Sequence, residues 1–298
     1  GGGGGGGGKA ITVPSYLRRS GTLSATWTLL KYRAVCDYKS PVYLGPRIGD
    51  KLVFALIVLT LFVNQGDSSG PQNVAGLAGV LFMVTALCGY GAAAVVPTLV
   101  LDRPLFYRET NDGCYGPLAY YLFKLIEEGF LCIFTSLMFV LIVFWGVGFQ
   151  GNFGVFMLLY YLTSMISIVI AYAIGASAPT LDGATAMLPT YVTTVMFVAG
   201  LIMLIDQIPD WWAWYGYTSF IRYAWAAQML NQFEGTESGE ALLFVGGDGQ
   251  LTTVLDFYGL RGNVLGSLWA CVGFLGLLFS LFATLGFCLL KHVRHERR

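Results

Sequence analysis

The sequence predicts an all-α membrane protein: six transmembrane helices, an N-terminal amphipathic connecting helix before them, and an extracellular re-entrant helical segment. Three observations carry that expectation. Of 298 residues only 11% are charged and 56% are hydrophobic, against a charged share of about 25% in soluble domains, and mean hydropathy is +0.66. Uncharged stretches long enough for a bilayer core, which needs about 20 residues of helix, recur along the chain. Every Lys and Arg except Arg222 and Arg261 falls on one side of the resulting layout. The positive-inside rule then puts both termini in the cytosol or its topological equivalent.

The elements follow in order. Residues 1–20 form a flexible or unassigned segment, whose glycine run 1–8 carries no fold argument. Residues 21–45 place Trp27, Leu30, Ala34 and Tyr38 near one side and Lys31, Arg33 and Lys39 elsewhere, as in a helix lying in the membrane interface. The spans cover about 46–66, 74–101, 117–147, 154–181, 183–205 and 262–290. The first is the weakest, because it runs back past Lys51 and Asp50 to Pro46. Spans three and four share one uncharged stretch too long for a single helix, divided at the turn-like GVGFQGNFG (146–154). Pro97 kinks span two near its inner end. Residues 206–261 form an outer region that opens on IPDWWAWYGYTSFIRYAWAAQMLNQFEG (208–235), with nine aromatics between Trp211 and Phe233. So many rings facing water would be an intolerable patch, so the segment folds back as short helices over the outer ends of spans five and six. Arg222 there needs an acid, with Asp206, Asp210 and Glu234 nearby. Residues 236–250 read as a dispensable polar loop, and 292–298 as a basic cytosolic tail.

Several functions are excluded. No Walker A, nucleophile-elbow or dinucleotide glycine motif occurs, and the formal charge is zero, which suits no nucleic acid. The six cysteines lack metal or disulfide spacing, and His292 and His295 have no further ligands beside them, so no metal site and no catalytic residue is expected. Ionised residues inside spans are costly and normally find partners, which singles out Lys124, Glu127 and Glu128 at the start of span three. Lys124 stands at helical spacing from both acids. The cluster is either a snorkelling group at the membrane boundary or a buried relay.

Two long motifs carry a resemblance. RPLFYRETNDGCYGPLAYYLFKLIEE (103–128) follows the second span and the IPDWWAWYG…NQFEG segment follows the fifth, while KYRAVCDYKSPVYLGPR (31–47) precedes the first. Together they resemble the transmembrane half of G-subfamily (white or pleiotropic-drug-resistance type) ABC transporters, exporters with the ABC type-2 membrane fold. The resemblance covers residues 23–290 or so. It implies a homo- or heterodimer of such halves, or other membrane subunits, enclosing a cavity in the lipid. It also implies a nucleotide-binding domain that binds ATP and Mg, outside this stretch of sequence.

The resemblance also assigns roles. Arg103, Phe106, Arg108 and Glu109 would couple the membrane domain to the ATPase, with Phe106 and Tyr107 as aromatic anchors. Lys124, Glu127 and Glu128 would be a polar relay. Tyr90 would clamp substrate, Thr193 and Met196 would face the same cavity, and Leu201 and Ile202 would plug it from above. Trp211, Trp214, Arg222 and Tyr223 would belong to the outer lid. Pro97 departs from the family, standing where a polar or acidic residue could serve. The expected function is export of hydrophobic or lipid-like molecules. The alternative is a non-transporting structural subunit that retains the membrane fold, and a channel is disfavoured by the lack of charge in mid-membrane.

Overall fold

The computed structural model describes residues 21–66, 70–245, 250–261 and 264–293. The glycine run, and His295 with the rest of 294–298, therefore lie outside the described residues. Helix α1 (Thr22–Leu29) continues through a π-turn (Leu30–Ala34) into α2 (Val35–Tyr38). Then come α3 (Pro41–Leu61), α4 (Pro71–Gly91), a 3-10 turn (Ala92–Val95), α5 (Val96–Asn111), α6 (Pro117–Val147), α7 (Phe153–Ser177) and α8 (Leu181–Phe197). The outer region holds α9 (Asp210–Tyr217), α10 (Phe220–Phe233), α11 (Glu237–Glu240), the strands β1 (Phe244–Val245) and β2 (Leu251–Thr252), and α12 (Val254–Phe257). α13 (Leu268–His292) closes the described chain.

Local chemistry sets the boundaries. Proline occupies the first turn of α3, α4 and α6, where its missing N–H costs nothing. Asn152 caps α7 by accepting from the Gly154 and Val155 amides at 2.9 and 3.3 Å, and Gly148 closes α6 at φ 77°. The expected division within 146–154 is therefore a C-cap followed by an N-cap. Among the described residues four helical runs are long and apolar enough to cross a membrane: Pro71–Asn111, Pro117–Val147, Phe153–Ser177 and Leu268–His292.

Three expected boundaries move. The first hydrophobic helix starts at Pro41 rather than 46, because Pro41 nucleates it and Pro46 is carried inside. The connecting region ends earlier for the same reason. Span two does not end before a coupling loop: the 3-10 turn just ahead of Pro97 bends the helix, which then runs on to Asn111. Proline at 97 cannot donate to the carbonyl four residues back, and the tighter turn absorbs that loss. The fifth span, expected over 183–205, stops at Phe197. Gly200 turns the chain at φ 112°, with the Trp225 ring and Ile205 within about 3 Å of where a Cβ would stand. Leu201 and Ile202 consequently sit on a turn, not on a helix.

Helix α7 is the centre of the bundle, packed by α13, α6, α4, α10, α5 and α8. It is buried around nearly its whole circumference, as its uniformly apolar sequence requires. α3 and α13 instead turn Leu52, Leu56, Leu61, Trp269, Leu277 and Leu281 outward, an arrangement suited to lipid.

The re-entrant expectation divides in two. Every residue of α10 except Asn231 is buried, and the helix fits between α13, α7 and α4. Its polar side chains hold the neighbouring loops. Trp225 Nε1 donates to the Ala78 carbonyl at 3.1 Å, and Gln228 Oε1 accepts from Thr85 at 3.1 Å. Gln232 accepts from the Gln150 amide at 3.0 Å and donates to the Gly66 carbonyl at 3.3 Å. By contrast, Trp211, Trp214 and Tyr217 of α9 stand largely exposed on this chain, contrary to a lid with all its rings covered. The described part of the expected loop, residues 236–245, is no mere loop either. Thr236 caps α11, Phe244 packs on Phe257 with ring centroids 4.9 Å apart, and Glu240 pairs with Arg261 at 2.6 Å.

The turn after α3 is set by close backbone approach. The Asn64 and Gly66 amides donate to the carbonyls of Gly146 and Val147 at 3.1 and 2.8 Å. A Cβ on Gly66 would lie 1.9 Å from the Gly148 carbonyl oxygen, a backbone atom that cannot rotate away. Gly66→Ala should therefore destabilise the protein by about 2 kcal/mol and lower its melting temperature in detergent by roughly 5 °C. An unchanged melting temperature would refute this account of the turn.

Candidate functional site

Two groups of side chains stand out, one of buried charges and one bordering an open groove. The first lies where α1–α3 and α5 meet α6. Lys124 Nζ is within 3.1 Å of Glu127, 3.4 Å of Asp102 and 3.7 Å of Asp37. Arg33 reaches Asp102 at 3.2 Å. Glu128 is bound by Arg47 at 2.6 Å and accepts from the Tyr43 hydroxyl at 3.3 Å, and Arg47 also reaches Thr98 at 3.3 Å. Lys124, Glu127, Glu128 and Arg47 are all buried. The cluster is thus enclosed by the protein and does not snorkel to a boundary.

The three residues singled out in the sequence are brought together, but only one local pair, Lys124 with Glu127, matches helical spacing. The partners that sequence reasoning missed are Arg47 and Arg33, counted there only among the charges on the inner side, and Asp102 and Asp37, which it did not single out. A signal existed: two adjacent acids and a single lysine leave one acid without a cation. Tyr38, whose hydroxyl donates to the Glu127 carbonyl at 3.1 Å, has its pKa pushed up to about 12 by burial and by the Glu127 and Glu128 carboxylates. It therefore remains a neutral donor.

The coupling candidates differ from expectation in orientation. Phe106 and Tyr107 are buried in this chain, with the Phe106 ring 4.7 Å from that of Tyr120, so neither projects as an anchor for a partner. Their apolar surface is needed to seat α5 on α6. Arg103 is buried as well and donates to the Ala178 carbonyl at 2.7 Å, closing the C-terminal end of α7. Tyr107 does the same for α13 through the Val293 carbonyl at 3.2 Å. Arg108 is exposed, and Glu109 is half-buried and accepts from the Tyr115 hydroxyl.

The second group borders a groove of about 520 Å³ lined by Gly45, Pro46, Gly49, Asp50, Tyr90, Gly91, Ala93 and Ala94. The Tyr90 hydroxyl is 2.8 Å from Thr193 Oγ1 and 3.5 Å from Met196 Sδ. Residues from α4 and α8 expected to share a cavity do meet. Gly89 permits this, since a Cβ there would be 2.8 Å from Val192 of α8. Leu201 packs partly against the core, whereas Ile202 is exposed beside a second, apolar depression of about 530 Å³ bordered by Phe197, Met203, Trp211 and Trp212.

Arg222 corrects another expectation. Among the described residues it forms no ion pair with Asp206, Asp210 or Glu234. Its guanidinium lies 5.4 Å from the Tyr217 ring centroid, and a Cβ on Gly216 would stand 2.9 Å from its Nη1. An aromatic face and space left by glycine take the place of a contact ion pair, and Asp206 acts on the cation only at longer range. Tyr223 stacks on Phe274 at 5.1 Å and donates to the Tyr217 carbonyl at 3.2 Å. Among the described residues no cluster of metal-ligating side chains occurs.

Comparison with known proteins gives a consistent picture. The family model described as ABC-2 type transporter matches residues 24–233. ABC transporter G family member 16 of Arabidopsis thaliana is 27% identical over 258 residues, covering 83% of this chain and 33% of the relative. Member 6 from the same plant is 28% identical over 200 residues, covering 65% of this chain and 27% of the relative. The Caenorhabditis elegans ABC transporter ATP-binding protein/permease wht-1 is 29% identical over 200 residues, covering 66% and 30%. The chain thus spans about a third or less of the length of these relatives.

Breaking one side of the Arg47–Glu128 pair leaves a buried charge uncompensated, which costs about 3–5 kcal/mol. Glu128→Ala and Arg47→Ala should each lower the melting temperature strongly, whereas the double change Arg47→Met with Glu128→Leu should recover most of the loss. Additive losses in the double variant, measured by thermal unfolding, would show that the two charges do not depend on each other.

Proposed function

This chain belongs to the ABC-2 type transporter family, and from that premise we propose that it is the membrane part of an ATP-driven exporter of hydrophobic or lipid-like molecules. ATP and Mg would be bound by an ATPase domain, on the same polypeptide or on a partner. A second membrane half, identical or not, would complete the cavity. In this reading α3 and α8 join the four apolar runs to make six spans, with both termini on the cytosolic side.

The observation that carries the reading is the meeting of Tyr90 with Thr193 and Met196 beside an open groove. A pocket with small walls, one aromatic ring and few polar groups suits an apolar or amphipathic ligand. The buried charges support the same reading from below. They tie α1–α3, α5 and α6 into one body, so that a push on Arg108 or Glu109 at the end of α5 would be carried to the groove side through the bent helix Pro71–Asn111. The chain itself supplies no group for phosphate chemistry. Its work would be to bind cargo and to change which side the groove faces.

Cargo-stimulated ATP hydrolysis in lipid nanodiscs, with the full-length protein and its native partner, tests the proposal. Tyr90→Ala should reduce the stimulation about tenfold, the loss expected when a buried aromatic contact worth about 1–2 kcal/mol is removed. Glu109→Ala should depress stimulated hydrolysis while leaving cargo binding intact. Assembly with an ATPase that no hydrophobic cargo stimulates would favour the structural-subunit reading instead.

A further inference from the structure

We infer that the groove beside Tyr90 selects cargo carrying a delocalised positive charge, with the Asp50 carboxylate as the recognising group. The inference deepens the transport reading and rests on it.

Asp50 lies on α3, at the cytosolic end of the span that the proposed layout takes through the membrane, and is half-buried. A carboxylate partly withdrawn from water favours a positive partner. Lys51, next along the chain, attracts it, but among the described residues Asp50 makes no contact ion pair and no side-chain hydrogen bond. Its cationic neighbours have closer contacts of their own. Arg47, one turn earlier, is held by Glu128 at 2.6 Å, and Lys51 lies over the Tyr160 ring at 5.2 Å. Both cations border a small internal pocket between α3, α4, α6 and α7, and Asp50 stands between that pocket and the groove. Among the described residues the groove has no Lys, Arg or His in its lining. It therefore presents one acidic group and no basic one.

The other walls define what the positive charge must be attached to. Gly45, Pro46, Gly49, Gly91, Ala93 and Ala94 offer no side-chain hydrogen-bonding groups. A small metal ion or a hydrated ammonium would find one carboxylate and nothing else to replace its water. A bulky cation with its charge spread over an apolar body needs no such shell. It gains from the carboxylate on one side and from the Tyr90 ring, whose hydroxyl is held by Thr193 and Met196, on the other. The groove volume of about 520 Å³ accommodates a molecule of that size. Gly91 leaves the carboxylate uncovered on this side, since even a Cβ there would stand 3.4 Å from Asp50 Oδ2.

Two ions of the same shape and opposite charge test this: tetraphenylphosphonium and tetraphenylborate. Their binding to the full-length protein with its ATPase partner is measured in nanodiscs, with empty nanodiscs subtracted, alongside stimulation of ATP hydrolysis. The wild type should prefer the phosphonium. Asp50→Asn should reduce that preference about tenfold, Asp50→Glu should restore most of it, and Tyr90→Ala should weaken binding of the phosphonium. Recovery in Asp50→Glu separates loss of charge from loss of fold. A preference that is absent, or equal in wild type and Asp50→Asn, overturns the inference. If hydrolysis is still stimulated by both ions, the transport reading survives that failure. Charge-selective, Asp50-dependent binding with no stimulation by any cargo would instead retain the site and remove the transport reading.

Discussion

The structure depends on how charge is kept away from lipid. Lys124, Glu127, Glu128 and Arg47 are buried together, and each has its counter-charge within 2.6–3.1 Å. No single one of them could occupy that place alone, because an isolated buried charge in an apolar surrounding is too costly to persist. The pairing therefore imposes geometry. It fixes the rotation of α3 about its axis through Arg47 and the position of α5 through Asp102, and it anchors α2 on α6 through Asp37 and Tyr38. Helices that are otherwise greasy and could slide receive a register from these few contacts.

At the other end of the bundle the same problem is solved with amides instead of ions. α10 is surrounded by protein, and its Gln228 and Gln232 satisfy a threonine hydroxyl and the backbone of two loops. Neutral groups bear burial more cheaply than ions. Close contact at Gly66 and Gly239, where a Cβ would meet the Gly148 and Phe233 carbonyls, leaves no slack around this helix. The outer region is thus divided into a packed part, α10, and a part that offers aromatic surface outward, α9.

Between these two ends lies the face where Tyr90, Thr193 and Met196 meet. It is bordered by glycine and alanine, and behind it lies the small internal pocket beside Arg47 and Lys51. A rigid frame on three sides and an open, lightly built wall on the fourth is the arrangement a binding groove needs, since the cost of organising the ring has been met in advance by its hydroxyl contacts.

Much of this was legible from the residues. Long uncharged stretches located the helices, since hydropathy is a one-dimensional property and a membrane span must carry it continuously. Pro117 and the turn-like stretch 146–154 marked boundaries, because the residues there act on their own backbone neighbours. The reading of buried charge and the resemblance pointed to Lys124, Glu127 and Glu128 and to Tyr90, Thr193 and Met196, and the structure brings Lys124 to Glu127 and Tyr90 to Thr193 and Met196. What tertiary structure alone decided was partnership and direction. Glu128 takes Arg47 from a helix far away in sequence, Phe106 turns inward onto Tyr120, Arg222 settles over Tyr217, and Asp50 is left facing a groove. Local sequence states which groups need a partner or a surface, but distance in space between remote segments selects which one they receive. That selection exists only once the helices have packed.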